Sequence, residues 1–407
     1  MNNRRVGSLG VLLAFSVGFG TAHAEPPAFY DTPSVLTSGA PGELIRSEPM
    51  TVALDPVAHI PMPVRAWRML YASTGSGGES VPASGTLLVP DQPWTGPGPR
   101  PLVDAASVTQ GLDRSCATSI NLRNGIAYEP VFAAPLLARG WAVAITDWMG
   151  LGANREHTYV NKLDQTHTFV DVARAALTVP GAGLGPDTPI GFAGSAYGAV
   201  GVAGALEMPE YTVGLNIVGA SVGEPLTSFG TTFDNIWARD DNLGYDAPYE
   251  MNGLIAAYPE QAERIRSILN DQGRSILDET RHQCQIESLA RYSGLPTRSL
   301  TADGRSLKEH FHEEPFVSLL AEQNLGTGTP TVPVFVVQYT ADQVISVPQA
   351  RDLVRRWSDA GASVTYRELR GPALMPGSLL DHGTGTAVAM EGGIDYLADR
   401  FAGRPVG

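Results

Sequence analysis

Short segments rich in valine and isoleucine alternate along most of the chain with segments whose apolar residues recur at helical spacing. Strands are predicted at 65–72, 101–108, 141–147, 189–194, 215–222, 332–339 and 364–369. Helices are predicted at 131–138, 166–177, 198–206, 348–357 and 387–398. Alternation of this kind is typical of a mostly parallel sheet with helices on both faces, so the pattern predicts an α/β fold.

The alternation is interrupted over residues 224–329, where helix signals dominate. Pro259 begins one segment with apolar residues at helical spacing, and Gly273 is predicted to end it. The interruption therefore predicts a helical cap inserted between two parts of an α/β core, 25–223 and 330–407.

The N-terminus has the order of a secretory signal. Arg4 and Arg5 precede an apolar run over 6–19, and small residues lead to a predicted cleavage site after Ala24. A retained N-terminal anchor is the alternative, but the run is shorter than the ~18 apolar residues of a membrane span. Residues 1–24 are therefore predicted to be a signal peptide, and the mature chain to be secreted or periplasmic without an integral membrane segment.

Charge excludes several classes of partner. The chain has 42 acidic and 28 basic residues, a net charge of −14, and Lys162 and Lys308 are its two lysines. Nucleic acids and anionic membranes require clustered positive charge, so neither is expected as a partner.

The sequence also lacks the motifs of common cofactor sites. Neither lysine has the spacing of a phosphate-binding loop, and two cysteines are too few for a zinc cluster. We expect no cofactor and no metal.

A candidate nucleophile elbow lies between the strand at 189–194 and the helix at 198–206. Such a turn needs small residues two positions before and two positions after the nucleophile, because the turn is strained and bulky neighbours would collide. Gly194 and Gly198 meet this requirement, but Ala196 stands where serine is expected.

Three interpretations of this turn remain open. Ala196 could replace the nucleophile, by natural loss or by engineering. Alternatively the turn could shift by one residue so that Ser195 attacks, flanked by Ala193 and Tyr197. Thirdly, the glycines could simply allow close packing of strand and helix. We favour the first interpretation, because Tyr197 would crowd an elbow centred on Ser195.

The residues that would assist the nucleophile follow it in the expected chain order of acid and then histidine. Asp342 comes directly after the strand at 332–339, where it could orient an imidazole. Of the eight histidines, His382 follows the last predicted strand, in what is predicted to be a polar loop before the final helix. The backbone N–H of Tyr197 would stabilise an oxyanion.

Several stretches of the chain resemble the secretory lipase family, the α/β-hydrolases typified by Candida antarctica lipase A. They are Phe29-Tyr30, Gly42-Glu43-Leu44-Ile45-Arg46-Ser47, Thr146-Asp147-Trp148-Met149-Gly150-Leu151-Gly152, the elbow, and Tyr339-Thr340-Ala341-Asp342. The resemblance implies an α/β-hydrolase fold, with Asp342 as acid and His382 as base. It also implies that Asp147 is an oxyanion donor, and it places the family serine at Ala196.

The expected function is hydrolysis of a small-molecule or lipid ester through a Ser-His-Asp acyl-enzyme mechanism, in a chain that lacks the nucleophile. Transfer of the acyl group to an alcohol is one alternative. A non-catalytic protein that binds its ligand in the same pocket is another. In an oxidising compartment Cys116 and Cys284 are expected to form a disulfide that ties the cap to the core.

Overall fold

The computed structural model describes residues 28–237, 242–243, 246–373 and 380–404, so the predicted signal segment lies outside the described residues. The strands are β1 (Leu44–Met50), β2 (Val64–Thr74), β3 (Ser80–Pro90), β4 (Leu102–Ala105), β5 (Ala142–Thr146), β6 (Ile190–Ser195), β7 (Ile217–Gly223), β8 (Asn242–Leu243), β9 (Leu295–Pro296), β10 (Val334–Tyr339) and β11 (Val364–Leu369). The helices are α1 (Thr118–Asn124), α2 (Glu129–Ala138), α3 (Lys162–Thr178), α4 (Tyr197–Glu207), α5 (Phe229–Ile236), α6 (Asp246–Ala257), α7 (Ala262–Ser267), α8 (Asp271–Thr280), α9 (Gln285–Tyr292), α10 (Leu307–Phe311), α11 (Phe316–Glu322), α12 (Val347–Asp359) and α13 (Leu380–Phe401).

Nine of these strands form one twisted sheet in the order β1-β2-β3-β5-β4-β6-β7-β10-β11. The six strands from β5 to β11 in this order are parallel, and β1 to β3 extend one edge in antiparallel fashion. Apolar side chains fill both faces: Phe169 and Phe192 belong to the core beneath α3 and α4, and Leu136 and Leu397 to the core beneath α2 and α13. The predicted α/β-hydrolase fold is confirmed.

Strands β1 and β3 were not predicted. Pro82 and Gly85 make β3 look like a turn in the sequence, yet all its residues after Ser80 are buried. A methyl group at Gly85 would lie 2.6 Å from the carbonyl oxygen of Ile145 on β5. The glycine is therefore required by the close approach of two strands, a contact that the sequence does not reveal.

Helices α5 to α11 occupy the stretch between β7 and β10, where the sequence predicts helices, but the predicted end at Gly273 is wrong. The segment that begins at Pro259 forms a 3-10 turn and then α7, which ends at Ser267. Gly273 instead lies in the first turn of α8, where its N–H donates to the side chain of Asn270 at 2.9 Å. Asn270 is the N-cap, so this glycine helps to begin a helix rather than end one.

The structure contains the predicted disulfide between Cys116 and Cys284, which are 168 positions apart. Beside it, the backbone N–H of Gln285 donates to the oxygen of Gln110 at 2.9 Å, so the loop after β4 is held against α9. We expect the Cys116→Ser/Cys284→Ser double variant to lose up to about 5 kcal/mol of unfolding free energy, because the bridge closes a long loop in the unfolded chain. Denaturant unfolding of the variant and the oxidised parent measures this loss. Equal stabilities, or two alkylatable thiols in the folded protein, would contradict the prediction.

Candidate active site

Ala196 lies at the apex of the turn between β6 and α4, with φ of 54° and ψ of −121°. Residues with side chains rarely adopt this region, and doing so costs about 1–3 kcal/mol. The turn is held by the Ala196 N–H, which donates to the oxygen of Gly223 at 3.0 Å. A methyl group at Gly194 would lie 2.8 Å from the oxygen of Gly198. The local geometry is therefore that of a strained elbow with Ala196 in the central position.

Ser195 occupies a different environment, although it precedes Ala196 directly. It is the last residue of β6 and is buried. A methyl group on Gly223 would collide with the Ser195 hydroxyl, so this side chain is directed at β7. Ala196 and Tyr197, by contrast, line the cavity described below.

Asp342 and His382 are brought together at the carboxyl end of the sheet. Nδ1 of His382 lies 2.9 Å from Oδ2 of Asp342, and Oδ1 of Asp342 accepts from the N–H groups of Val344 at 2.8 Å and Ile345 at 3.1 Å. Burial alone would raise the pKa of Asp342, but the imidazole and these backbone donors outweigh it and hold that pKa below its usual range. The acid is thus kept ionised beside the imidazole.

His382 lies in the first turn of α13 and not in the predicted polar loop. The sequence around it looks loop-like because of Gly383 and Gly385. Gly383 lines the cavity, and a methyl group at Gly385 would collide with the carboxyl of Glu224. Both glycines lie within the first turns of α13, where they leave room for the cavity and for Glu224, so they do not mark the absence of a helix.

Ala196 and His382 share one largely apolar cavity of about 310 Å³. Its other lining residues are Val108, Thr109, Tyr128, Phe132, Tyr159, Tyr197, Leu226, Phe229, Thr232, Phe233, Ile236, Glu250, Gln285, Leu289, Val344, Ile345, Gly383 and Thr386. Several of these come from α5, α6 and α9, so the helical segment supplies much of the wall. A concave, mostly apolar space with a few polar groups at one end is the usual form of a small-ligand site.

Asp147, which the resemblance implies as an oxyanion donor, directs its carboxyl at Ser84 and Ser119. Its carboxylate is fully buried and accepts from Ser119 N–H at 2.7 Å, Ser119 Oγ at 2.5 Å and Ser84 Oγ at 2.6 Å. Burial raises its pKa to about 6, although these donors oppose the shift. Asp147 is not among the residues that line the cavity, and these contacts connect the end of β5 to α1.

We therefore expect Asp147→Asn, in a serine-bearing Ala196→Ser background, to change turnover less than tenfold. Loss of an oxyanion donor costs about 10²–10³ in turnover. The same substitution should lower the free energy of unfolding by about 1 kcal/mol, because the seryl donors lose a charged acceptor. Esterase kinetics and denaturant unfolding measure the two quantities. A 10²-fold loss of turnover with unchanged stability would restore Asp147 to the active site.

Sequence reasoning missed the loop after β4, whose residues Val108 and Thr109 line the cavity. Gln110 fixes this loop: its Nε2 donates to the oxygen of Val108 at 3.1 Å and to Glu129 Oε1 at 2.5 Å. No motif marks these residues. Their position depends on the path of the loop, which the Cys116–Cys284 bridge and the contact with α9 determine.

Glu224 is the other residue that sequence reasoning missed. Its Oε2 lies 3.8 Å from Nδ1 of His382, and its side chain is fully buried. Ligand atoms of Glu224, Asp342 and His382 all lie within 4.8 Å of one another, a spacing at which a metal ion could be held. The same atoms of Asp342 and His382 already hydrogen-bond to each other, so the arrangement also serves acid–base chemistry without an ion.

Comparison with known proteins identifies lipases and esterases as relatives of this chain. Over 93% of the chain it is 28% identical to a probable inactive lipase of Mycobacterium tuberculosis, covering 82% of that protein. It is 25% identical to a secreted triacylglycerol lipase of Malassezia globosa over 93% of the chain and 80% of that protein. The fold matches closed Candida antarctica lipase A with a TM-score of 0.76 and 21% identity, over 95% of this chain and 89% of that one.

It also matches a ligand-bound form of the rice cell wall degrading esterase LipA from Xanthomonas oryzae, with a TM-score of 0.74 and 20% identity, over 89% of this chain and 99% of that one. Among the described residues, no helix is both long enough and apolar enough to cross a bilayer. The secretory lipase family matches residues 119–407. The chain therefore belongs to the secretory lipase family, within the lipase and carboxylesterase class.

Proposed function

We propose that the cavity receives a carboxylic ester with its carbonyl carbon next to position 196, and that the acyl-transfer machinery is complete except for the nucleophile. The observation that carries this proposal is the Asp342–His382 pair, 2.9 Å between Oδ2 and Nδ1, on the same cavity as a strained elbow occupied by Ala196. A methyl group cannot attack a carbonyl, so the chain as it stands binds esters but does not cleave them at this position.

With serine at position 196, His382 would take the hydroxyl proton and then deliver it to the leaving alcohol, while Asp342 stabilises the imidazolium. The N–H of Tyr197, at the start of α4, would donate to the oxyanion. The second donor would come from the loop at Val108 and Thr109, which reaches the cavity, and not from Asp147. Water would release the acyl group.

The chemistry of the wall favours esters with an apolar acyl or alcohol part. Aromatic and aliphatic side chains such as Phe229, Phe233 and Leu289 form most of it, and its volume of about 310 Å³ holds a small or medium-sized group. We further propose that residues 224–329 act as a cap that sets this specificity, and that the protein is exported, as the names of its secreted relatives suggest.

The decisive experiment compares hydrolysis of a p-nitrophenyl ester by the chain and by its Ala196→Ser variant. The same two proteins also distinguish the alternative functions.

Methanolysis exceeding hydrolysis in the serine variant would indicate transfer of the acyl group to an alcohol. The probable inactive lipase among the relatives favours the binding protein, and calorimetric titration of the unaltered chain with an intact p-nitrophenyl ester, recovered unhydrolysed, would support it.

A further inference from the structure

We propose that Glu224 is a second acid for His382: a buried carboxyl beside the Asp342–His382 pair that can orient the imidazole and balance its charge when Asp342 is neutralised. This inference rests on the proposed function, since it concerns the histidine assigned there as the base. Glu224 touches neither ester nor nucleophile in this scheme, so it is a positioning residue.

The distances place Glu224 within reach of the same imidazole nitrogen that Asp342 contacts. Oε2 of Glu224 is 3.8 Å from Nδ1 of His382, against 2.9 Å for Oδ2 of Asp342. The two acids arrive from different strands, Glu224 directly after β7 and Asp342 after β10. Neighbouring parallel strands thus each present one carboxyl to a single histidine.

Neighbouring residues of α13 hold the Glu224 carboxyl in place. The hydroxyl of Thr386 donates to its Oε2 at 2.7 Å, and Gly385 leaves the space that Oε1 fills. Glu224 itself has φ of 44°, a conformation that residues with side chains rarely adopt. Such strain is typical of positions where function demands a particular side-chain placement. A buried carboxyl with no role would not require it.

The proton arrangement follows from the contacts. Ligand atoms of Glu224, Asp342 and His382 lie within 4.8 Å of one another, and two buried carboxyls this close repel when both are ionised, which favours a state in which one carries a proton. Asp342 has the imidazole and two backbone donors to stabilise its charge, whereas Oε1 of Glu224 has no donor facing it. Burial, followed by the charge of Asp342, raises the pKa of Glu224 to about 8. Glu224 is therefore the protonated member of the pair at neutral pH.

Neutralising Asp342 removes the negative charge that opposes ionisation of Glu224. The Glu224 proton can then pass to solvent, and its carboxylate is left next to the imidazole. The other acid near this turn, Asp381, accepts from Gln343 Nε2 at 2.7 Å, a contact common to all the variants described next. We therefore expect His382 to keep a carboxylate partner after Asp342→Asn only if residue 224 can ionise.

The test is a double-mutant cycle of Asp342→Asn and Glu224→Gln in the unaltered Ala196 chain. The pKa of His382 is followed by NMR of histidine-labelled protein and assigned with His382→Gln. We expect Asp342→Asn alone to lower this pKa by less than ~1 unit, and the double variant to lower it by ~2 units or more. Equal values for Asp342→Asn and the double variant would overturn the proposal. Asp104→Asn, which replaces a fully buried carboxyl on β4 whose pKa burial also raises, is the matched control for Glu224→Gln and should leave the pKa of His382 unchanged.

A kinetic arm repeats the cycle with Ala196→Ser. We expect Asp342→Asn to lower kcat about 10²-fold, less than the ~10⁴-fold loss seen when a triad orienter has no substitute. Glu224→Gln should cost more in the Asp342→Asn background than alone, and the double variant should reach the full ~10⁴-fold loss. An additive cycle would contradict the proposal. If Ala196→Ser shows no activity at all, the proposed function fails, and the NMR arm still decides the role of Glu224.

Discussion

Replacing Ala196 by serine is expected to raise the rate of ester hydrolysis by up to about 10⁶-fold, since removal of a serine nucleophile costs that much in turnover. The backbone at position 196 already has the strained elbow conformation, and Gly194 and Gly198 already relieve the close contacts around it. The added hydroxyl would enter a cavity that His382 lines. Initial rates on p-nitrophenyl esters, together with labelling by an alkyl phosphonate that reacts with activated serines, measure the gain.

Ser195→Ala is the matched control, because it removes the neighbouring hydroxyl without touching position 196. The Ser195 side chain is directed at Gly223. We therefore expect Ser195→Ala to leave the hydrolysis rates of both the unaltered chain and the Ala196→Ser variant unchanged. Rapid hydrolysis by the unaltered chain, abolished by Ser195→Ala, would show that the elbow is centred on Ser195 instead.

Sequence patterns predict this fold best where burial is complete and continuous. The strand predicted at 364–369 coincides with β11 at both ends. Strands β6, β7 and β10 each begin within two residues of the predicted start and end within one residue of the predicted end. Such strands of a parallel sheet are recognisable because Val and Ile cluster in short runs. Strand β3 was missed because Pro82 and Gly85 respond to a neighbouring strand, and local pattern carries no information about that neighbour.

The same distinction applies to the candidate site. Asp342 and His382 were found because chain order and proximity to strand ends constrain them, and the geometry places them 2.9 Å apart. Glu224 follows a strand end equally closely, but the chain order of a triad does not point to it. Its relation to His382 depends on strand order, since β7 and β10 are neighbours in space and are separated by more than a hundred residues in the chain.

Asp147 is a residue for which the motif and the observed contacts favour different roles. It follows β5, and the motif around it resembles the family, so a role at the carboxyl edge of the sheet was expected. Its carboxylate accepts hydrogen bonds from Ser84 and Ser119, which connect the end of β5 to β3 and to the start of α1. A carboxylate that accepts three hydrogen bonds at full burial has a structural explanation that needs no substrate.

The second large effect concerns His382, which we expect to be indispensable once a serine is present. In the Ala196→Ser background, His382→Ala should return activity to the level of the unaltered chain, because a serine without its base is about as inert as no serine at all. In the unaltered chain the same substitution should cause no further loss. This non-additive result is the signature of residues that act as one unit.

His312→Ala provides the control for removing an imidazole, since His312 is exposed and bonded to Asp234 at 2.7 Å, and it does not line the cavity. It should leave the activity of Ala196→Ser within a few-fold of its starting value.

Phosphonate labelling supplies a readout that does not depend on substrate binding. His382→Ala should slow labelling of the serine by several orders of magnitude, because the hydroxyl is no longer deprotonated as it attacks. Retention of near-full hydrolysis by the His382 variant would mean that another group activates position 196, and the Asp342–His382 pair would then be structural.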